Sequence, residues 1–264
     1  MSIDWHNTHA AIWRQQTGKL RAATAMDSIS LAALIGIDRQ KAELVRNTER
    51  FLNRQAANNA LLWGARGTGK SSLVKAVLNE YKDQNLRLIE VFKNDLRNLP
   101  DIVDEIRELP QRFILYCDDF SFEASEHEYT ALKTVLEGSI ELPPENVLLY
   151  ATSNRRHLIP ENMQDNLDSK IIDGELHYAD AIEEKISLSD RFGLWLSFYP
   201  SSQDGYLDII DSYFPDYFGD RNVLHAEAKK FAHSRGARSG RTAKQFFNFF
   251  SGADNGADKS GANK

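Results

Sequence analysis

The stretch LLWGARGTGKSSLV, residues 61–74, determines how the rest of this chain is interpreted. An apolar run typical of a buried strand ends in a glycine-rich turn with a lysine and a serine, and apolar residues then return at helical spacing. Gly64, Gly69, Lys70 and Ser71 fill the pattern G-x-x-x-x-G-K-S/T, the Walker A loop. The pattern lies between a strand and a helix, where a phosphate-binding loop has to lie, and it therefore predicts a nucleotide site.

The chemistry of this loop follows from its residue types. Glycines let backbone N–H groups turn towards phosphates, and the helix N-terminus adds partial positive charge. Lys70 is predicted to reach the β and γ phosphates of ATP, and Ser71 to ligate Mg²⁺. The nucleotide-binding residues predicted from the loop are Gly64, Ala65, Arg66, Gly67, Thr68, Gly69, Lys70, Ser71 and Ser72.

Apolar strands and helices alternate on both sides of the loop. Strands are predicted at 60–63, 86–92, 112–119, 146–154 and 193–200, with helices at 70–81, 99–110 and 126–138 between them. This alternation predicts an α/β fold with a parallel five-stranded sheet covered on both faces, as in P-loop NTPases.

The two ends of the chain have a different character. Residues 1–58 are expected to be helical, with apolar periodicity from Lys41 to Arg54, and three helices without an intervening strand follow residue 200. We predict an N-terminal extension (1–33), an α/β nucleotide-binding domain (34–200), a small helical lid domain (201–250) and a disordered tail (251–264).

The composition sets limits on function. The chain has 264 residues, a net charge of −6 and a single cysteine, Cys117, so no intramolecular disulfide is expected. The N-terminus lacks the pattern of a signal peptide, and the longest apolar stretch, Leu31–Ile37, is too short to span a bilayer. We expect a cytoplasmic protein without a membrane partner.

An acidic pair follows the third predicted strand. Asp118 and Asp119 come after the apolar run FILYC, the Walker B arrangement. We predict that Asp118 holds Mg²⁺ and that Asp119 orients the attacking water, with Glu123 as a weaker candidate for the base. Asn154 ends the next strand, where a polar residue can contact the γ-phosphate, although an asparagine at such a place is often a turn residue.

The order of these motifs resembles that of the AAA+ ATPases. A Walker A loop, the hydrophobic-DD Walker B and a strand ending in TSN are shared, and the resemblance implies that Asn154 is the sensor-1 residue. SLSDRFGLWLSF is similar to the arginine-finger region, which points to Arg191, and RSGRTAKQFF to the sensor-2 helix, which points to Arg241, with Arg238 as second choice. Over about residues 30–250 the chain resembles a bacterial family of predicted AAA+ ATPases of unknown function.

Two features depart from the AAA+ pattern. Asp119 stands where most members have glutamate, so the carboxylate lies one methylene farther from the phosphate and hydrolysis is expected to be slow or partner-dependent. The segment between the second and third strands is too short and polar for a pore loop, which argues against polypeptide threading.

Two functional hypotheses remain open on the sequence. The first is an Mg²⁺-dependent ATPase that remodels or assembles a protein partner, as a homo-oligomer in which Arg191 serves a neighbouring subunit. The second is a nucleotide-gated loader or adaptor with weak turnover that acts on nucleic acid or a helicase, with basic residues of the lid as the contact surface. A small-molecule kinase is disfavoured because the helical segment follows the sheet and does not interrupt it.

Overall fold

The computed structural model describes residues 3–120, 126–138, 140–154 and 191–257. Its centre is a seven-stranded sheet in the order β2-β1-β4-β5-β6-β3-β7, in which only the β1–β2 pair is antiparallel. The strands are β1 (Ala10–Arg14), β2 (Lys19–Ala22), β3 (Ala60–Gly64), β4 (Leu86–Glu90), β5 (Arg112–Cys117), β6 (Val147–Ser153) and β7 (Leu194–Phe198). The chain therefore has an α/β fold with a mostly parallel sheet.

Helices cover both faces of this sheet. The helices α1 (Asp38–Leu52) and α2 (Lys70–Tyr81) share one apolar core with it, and α3 (Leu99–Ile106) and α4 (Glu126–Glu137) lie over the other face. Short 3-10 helices occupy Lys82–Gln84 and Lys93–Asn98. All residues of β5 and β6 are buried, as expected for central strands with both faces covered.

The five predicted strands are confirmed, but the strand count is wrong because the N-terminal segment is not wholly helical. β1 and β2 form a hairpin, and β1 pairs in parallel with β4, with Ala10 opposite Leu88. Trp13 is buried in the core, and Gly18 closes the hairpin turn with a positive φ of 57°. The alanines of AAIWR favour helix locally, yet the unpaired edge of β4 offers them backbone hydrogen bonds and burial.

Three helices follow the sheet and pack around a core of their own. They are α5 (Gln203–Tyr213), α6 (Arg221–Arg235) and α7 (Gly240–Ala257), and their shared core contains Tyr206, Leu224 and Phe246. Helix α7 continues to Ala257, into the segment 251–264 that was predicted to be disordered. Residues 258–264 lie outside the described part of the chain. Among the described residues no helix is long and apolar enough to cross a membrane.

The register of the sheet gathers the predicted site residues at one edge. Phe198 of β7 lies opposite Gly64 of β3, and Ser153 of β6 lies opposite Trp63. Cys117, the last residue of β5, lies opposite Ala151 of β6. The P-loop, the acidic pair and the end of β6 therefore meet at the carboxyl edge, where open parallel sheets bind ligands.

Candidate nucleotide-binding site

The loop between β3 and α2 has a backbone that only glycines accept. Gly64, Gly67 and Gly69 have φ values of 134°, 76° and 99°. A side chain at Gly64 would collide with the carbonyl group of Phe198 on the neighbouring strand. Helix α2 begins at Lys70 directly after this turn, so its first N–H groups face the space that the loop encloses. The structure thus gives this segment the form of an anion-binding loop.

Lys70 lies at the centre of the site with only 5% of its surface exposed. Its ammonium donates to the carbonyl oxygens of Gly64 (2.9 Å) and Ala65 (2.7 Å) and to Oδ1 of Asn154 (3.0 Å). Burial lowers the pKa of Lys70, and the nearby charges of Asp119 and Asp118 partly offset this effect. A desolvated cation held by replaceable neutral acceptors is suited to exchange them for phosphate oxygens.

Asp118 is fixed by hydroxyl groups from two other elements. Ser71 of α2 donates to its Oδ1 at 2.8 Å, and Thr152 of β6 donates to the same oxygen. Burial acts to raise the pKa of Asp118, but the hydrogen bonds from Thr152 and Ser71 outweigh it and leave the pKa below its ordinary value. The carboxylate is therefore held ionised beside the predicted Mg²⁺ ligand Ser71.

The donor set at this point suits Mg²⁺, which prefers oxygen ligands and keeps several waters. The buried Tyr116 hydroxyl adds a further oxygen beside Ser71, Asp118 and Thr152. In the described residues no group of three or more His, Cys, Asp or Glu side chains forms a protein-only metal cage. The adjacent oxygen donors Ser71 and Asp118 fit a hydrated Mg²⁺ ion.

Asp119 and Asn154 are joined to each other. The Nδ2 group of Asn154 donates to Oδ1 of Asp119, while its Oδ1 accepts from Lys70. Asp119 has a positive φ of 54°, a left-handed conformation that is unusual for a residue other than glycine. Asn154 therefore connects the phosphate-binding lysine to the predicted water-orienting carboxylate. The weaker candidate for the base, Glu123, lies outside the described residues.

Two residues near the acidic pair were not predicted from the sequence. Thr152 contacts Asp118 through its hydroxyl group, and Glu90 ends β4 beside β5. Burial raises the pKa of Glu90, and the charge of Asp118 adds to this effect. An acidic residue that ends an apolar strand next to Walker B was the only signal for Glu90. Nothing in the local sequence separated Thr152 from an ordinary strand threonine.

The helical unit reaches the P-loop at the start of α7. A side chain at Gly67 would come within 2.8 Å of the Ser239 hydroxyl and within 3.2 Å of Cβ of Arg241. The charge of Arg241 is close enough to contribute to the lowered pKa of Lys70. The structure therefore brings Arg241 to the same space as Lys70. Arg238, the second choice, is exposed in the turn before α7.

Arg191 lies at the other edge of the sheet. It precedes β7 by three residues, and β7 reaches Gly64 only through its last residue, Phe198. The strand alone spans roughly 13 Å at 3.3 Å per residue. Arg191 is instead bound by Glu137 of α4, with Nε 2.5 Å from Oε1. The structure does not bring Arg191 to the site of its own chain.

The fold is similar to that of AAA+ P-loop ATPases. The ORC1 protein of Aeropyrum pernix, solved in complex with DNA, superposes with a TM-score of 0.57 at 17% identity, covering 80% of this chain and 58% of that one. The Thermotoga maritima RuvB Holliday junction branch migration motor matches with a TM-score of 0.47 at 13% identity, covering 84% of this chain and 72% of its own. The match to the Aeropyrum pernix protein confirms the resemblance to AAA+ ATPases as a likeness of fold.

The chain belongs to the family described as protein of unknown function DUF815, whose model matches residues 6–254. No curated protein matches the chain.

Proposed function

We propose that this protein is an Mg²⁺-dependent ATPase of the AAA+ type that couples its nucleotide state to the remodelling or assembly of a protein partner in the cytoplasm. The observation that carries the proposal is the connected set of side chains at the carboxyl edge. Lys70, Asn154 and Asp119 form one chain of hydrogen bonds, and Ser71 and Asp118 form another beside it. An isolated glycine-rich turn would not need these partners on β5 and β6.

Each residue of this set has a distinct role. Lys70 exchanges its carbonyl acceptors for the β and γ phosphates of ATP, and Ser71 and Asp118 hold Mg²⁺ directly or through water. Mg²⁺, when bound, neutralises the charge that develops on the phosphates. Asp119 accepts a hydrogen bond from the attacking water and orients it in line with the γ-phosphate. Asn154 holds Asp119 in the required direction and, as the predicted sensor-1 residue, senses the γ-phosphate.

Arg241 gives the helical unit a way to respond to nucleotide. Its Cβ lies close to Gly67, and its charge lies near Lys70. A γ-phosphate attracts this guanidinium, so binding and release of phosphate shift the helical unit against the sheet. The helical unit then acts as a lid whose position reports the nucleotide state to a partner.

Arg191 completes the site of a neighbouring subunit. Because it lies at the opposite edge from its own P-loop, it can act only in trans, as an arginine finger in a homo-oligomer. Such fingers contribute about 10³–10⁵ in rate. Turnover is then low in the isolated chain and high in the assembly.

The direct test is phosphate release from Mg²⁺ and ATP by the wild type, Lys70→Ala and Lys75→Ala. Lys75 lies on the same helix and is 48% exposed, so it is a matched lysine outside the site. We expect Lys70→Ala to lower the rate by about 10²–10³, and Lys75→Ala to retain it. Equal rates in all three proteins would rule out this site as the source of hydrolysis.

A second candidate function is a nucleotide-gated loader or adaptor that contacts nucleic acid. Residues 228–253 contain six basic and no acidic residues, although the whole chain carries a net charge of −6. Arg235 stacks on Phe231, which in turn stacks on Phe249, a residue that is 65% exposed. Exposed aromatic groups beside cations suit single-stranded nucleic acid.

This candidate is tested by the binding of a fluorescent single-stranded oligonucleotide at two salt concentrations. Salt-sensitive binding that Phe249→Ala and Lys244→Ala weaken, with ATP bound but scarcely hydrolysed, would favour the loader. Absence of binding at low salt would leave the ATPase with a protein partner.

A further inference from the structure

We infer that Thr152 is a positioning residue for the two carboxylates of the site. This inference rests on the proposed ATPase function and adds a residue to it. Thr152 lies on β6, two residues before Asn154, and it is fully buried. The hydrogen bonds of its hydroxyl group join it to Asp118 and Asp119, so we infer that it acts through the acidic pair.

Thr152 contacts three consecutive residues of the turn that carries the acids. Its hydroxyl donates to Oδ1 of Asp118 and accepts from the backbone N–H of Asp119 at 3.1 Å. Its carbonyl oxygen accepts from the backbone N–H of Phe120 at 2.7 Å. One residue of β6 thus fixes the side chain of the first acid and the backbone of the second.

These contacts hold a conformation that the chain does not favour by itself. Asp119 has a φ of 54°, a left-handed conformation that residues other than glycine adopt at a cost in free energy, although aspartate adopts it more readily than most. The hydrogen bonds to Thr152 offset this cost and direct the Asp119 carboxylate towards Asn154. Without them we expect the turn to relax and the two carboxylates to lose their shared orientation.

The hydroxyl of Thr152 also defines the rotation of the Asp118 carboxylate. Oδ1 of Asp118 accepts from both Thr152 and Ser71, and these donors approach from β6 and α2. Loss of a partner that orients a metal-binding group typically weakens metal affinity 10- to 100-fold. A substitution at Thr152 should therefore weaken ATP binding in the presence of Mg²⁺ more than it weakens ATP binding without Mg²⁺.

The test compares Thr152→Val, Thr152→Ser and Thr48→Val with the wild type. Valine keeps the shape of threonine and removes the hydroxyl, whereas serine keeps the hydroxyl. Thr48 is the matched control, because it is also fully buried and its hydroxyl also makes two hydrogen bonds, to Leu44 and Tyr150, away from the acidic pair. ATP affinity is measured for each protein with Mg²⁺ and with EDTA, together with hydrolysis.

We expect Mg²⁺ to tighten ATP binding in the wild type, so that the ratio of ATP affinity with Mg²⁺ to ATP affinity in EDTA exceeds one. Thr152→Val should reduce this ratio by about 10- to 100-fold, while its ATP affinity in EDTA equals that of the wild type. Thr152→Ser and Thr48→Val should keep the wild-type ratio. If Thr152→Val does not fold, Thr152→Ala is measured in its place with the same expectation.

A wild-type ratio in Thr152→Val, or an equal loss in Thr152→Ser, would overturn the inference. A wild type that binds no ATP would instead contradict the proposed function, so the two failures are distinguishable.

Discussion

The two edges of the sheet hold functional side chains in different ways. At the carboxyl edge, Lys70, Asn154 and Asp119 are bound to one another across three elements. At the amino edge, Arg191 is bound by Glu137 and lies away from its own P-loop. The carboxyl edge gathers the side chains that we propose bind ATP within one chain, whereas we propose that Arg191 at the amino edge serves a neighbouring subunit.

The largest expected effect tests the amino edge. Arg191→Ala should lower the hydrolysis rate per subunit at high protein concentration by about 10³-fold or more, because a finger in trans stabilises transition-state charge. ATP affinity should not change. The measurement is hydrolysis per subunit over a range of protein concentrations.

Arg107→Ala is the matched control for this change, because Arg107 is a second arginine that is paired with a glutamate, Glu141. A hydrolysis rate per subunit that does not depend on protein concentration and does not change in Arg191→Ala would contradict the action of Arg191 on a neighbouring subunit.

The next effect tests the carboxyl edge. Asp119→Asn should lower the hydrolysis rate by about 10²-fold or more, because an amide no longer orients and polarises the attacking water. ATP binding should persist, since Lys70 and Ser71 are unchanged. The measurement is single-turnover hydrolysis beside an ATP titration.

Asp119→Glu sharpens the same point, since it restores the acid that most AAA+ proteins have at this position. An unchanged or higher rate in this variant is expected. An active Asp119→Asn protein would show that another group orients the water.

A smaller effect is expected where the helical unit meets the P-loop. Gly67→Ala and Gly18→Ala each place a side chain at positive φ, at 76° and 57°, and each should cost roughly 1–2 kcal/mol of unfolding free energy. Only Gly67→Ala also presses on Ser239 and Arg241, since Gly18 has open space around it. We expect ATP affinity to fall in Gly67→Ala alone, as measured by denaturant unfolding and ATP titration. Equal ATP affinities in the wild type and Gly67→Ala would contradict a contact between the helical unit and the nucleotide site.

The smallest effect concerns the Glu137–Arg191 pair. The hydrogen bond from Arg191 lowers the pKa of Glu137, so the stability from this pair is present above the ordinary pKa of about 4.3 and is lost as the pH falls through the folded value. Glu137 is 44% exposed, so Glu137→Gln should cost less than about 1 kcal/mol at pH 7. Unfolding curves at pH 7 and at acid pH check this prediction. If the difference in unfolding free energy between the wild type and Glu137→Gln were larger at acid pH than at pH 7, the predicted direction of the pH dependence would be wrong.

Features carried by a short local pattern were predictable from the sequence. The Walker A loop requires glycines at fixed spacing, and the predicted helix at 70–81 matches α2 residue for residue. Asp118 and Asp119 were predicted because they follow an apolar run, and the structure buries every residue of the strand that this run forms. In these cases the physical requirement acts within about ten consecutive residues.

Features that depend on distant partners were not predictable. The β1–β2 hairpin exists because the edge of β4 accepts it, and AAIWR alone reads as helix. Thr152 and Asp118 are 34 residues apart in the chain. Their contact exists only because β5 and β6 lie side by side, so the sequence around Thr152 did not indicate it. Glu137 and Arg191 likewise meet only through the packing of α4 near the start of β7. Tertiary contacts of this kind leave no local signature.

The measurement that tests the central claim most directly is calorimetric titration of ATP, with and without Mg²⁺, into the wild type and Lys70→Ala. The account predicts one ATP bound per wild-type chain, tighter binding in the presence of Mg²⁺, and a clear loss of affinity in Lys70→Ala. Absence of ATP binding to the wild type, or equal affinity in Lys70→Ala, would contradict the assignment of the carboxyl edge as an ATP site.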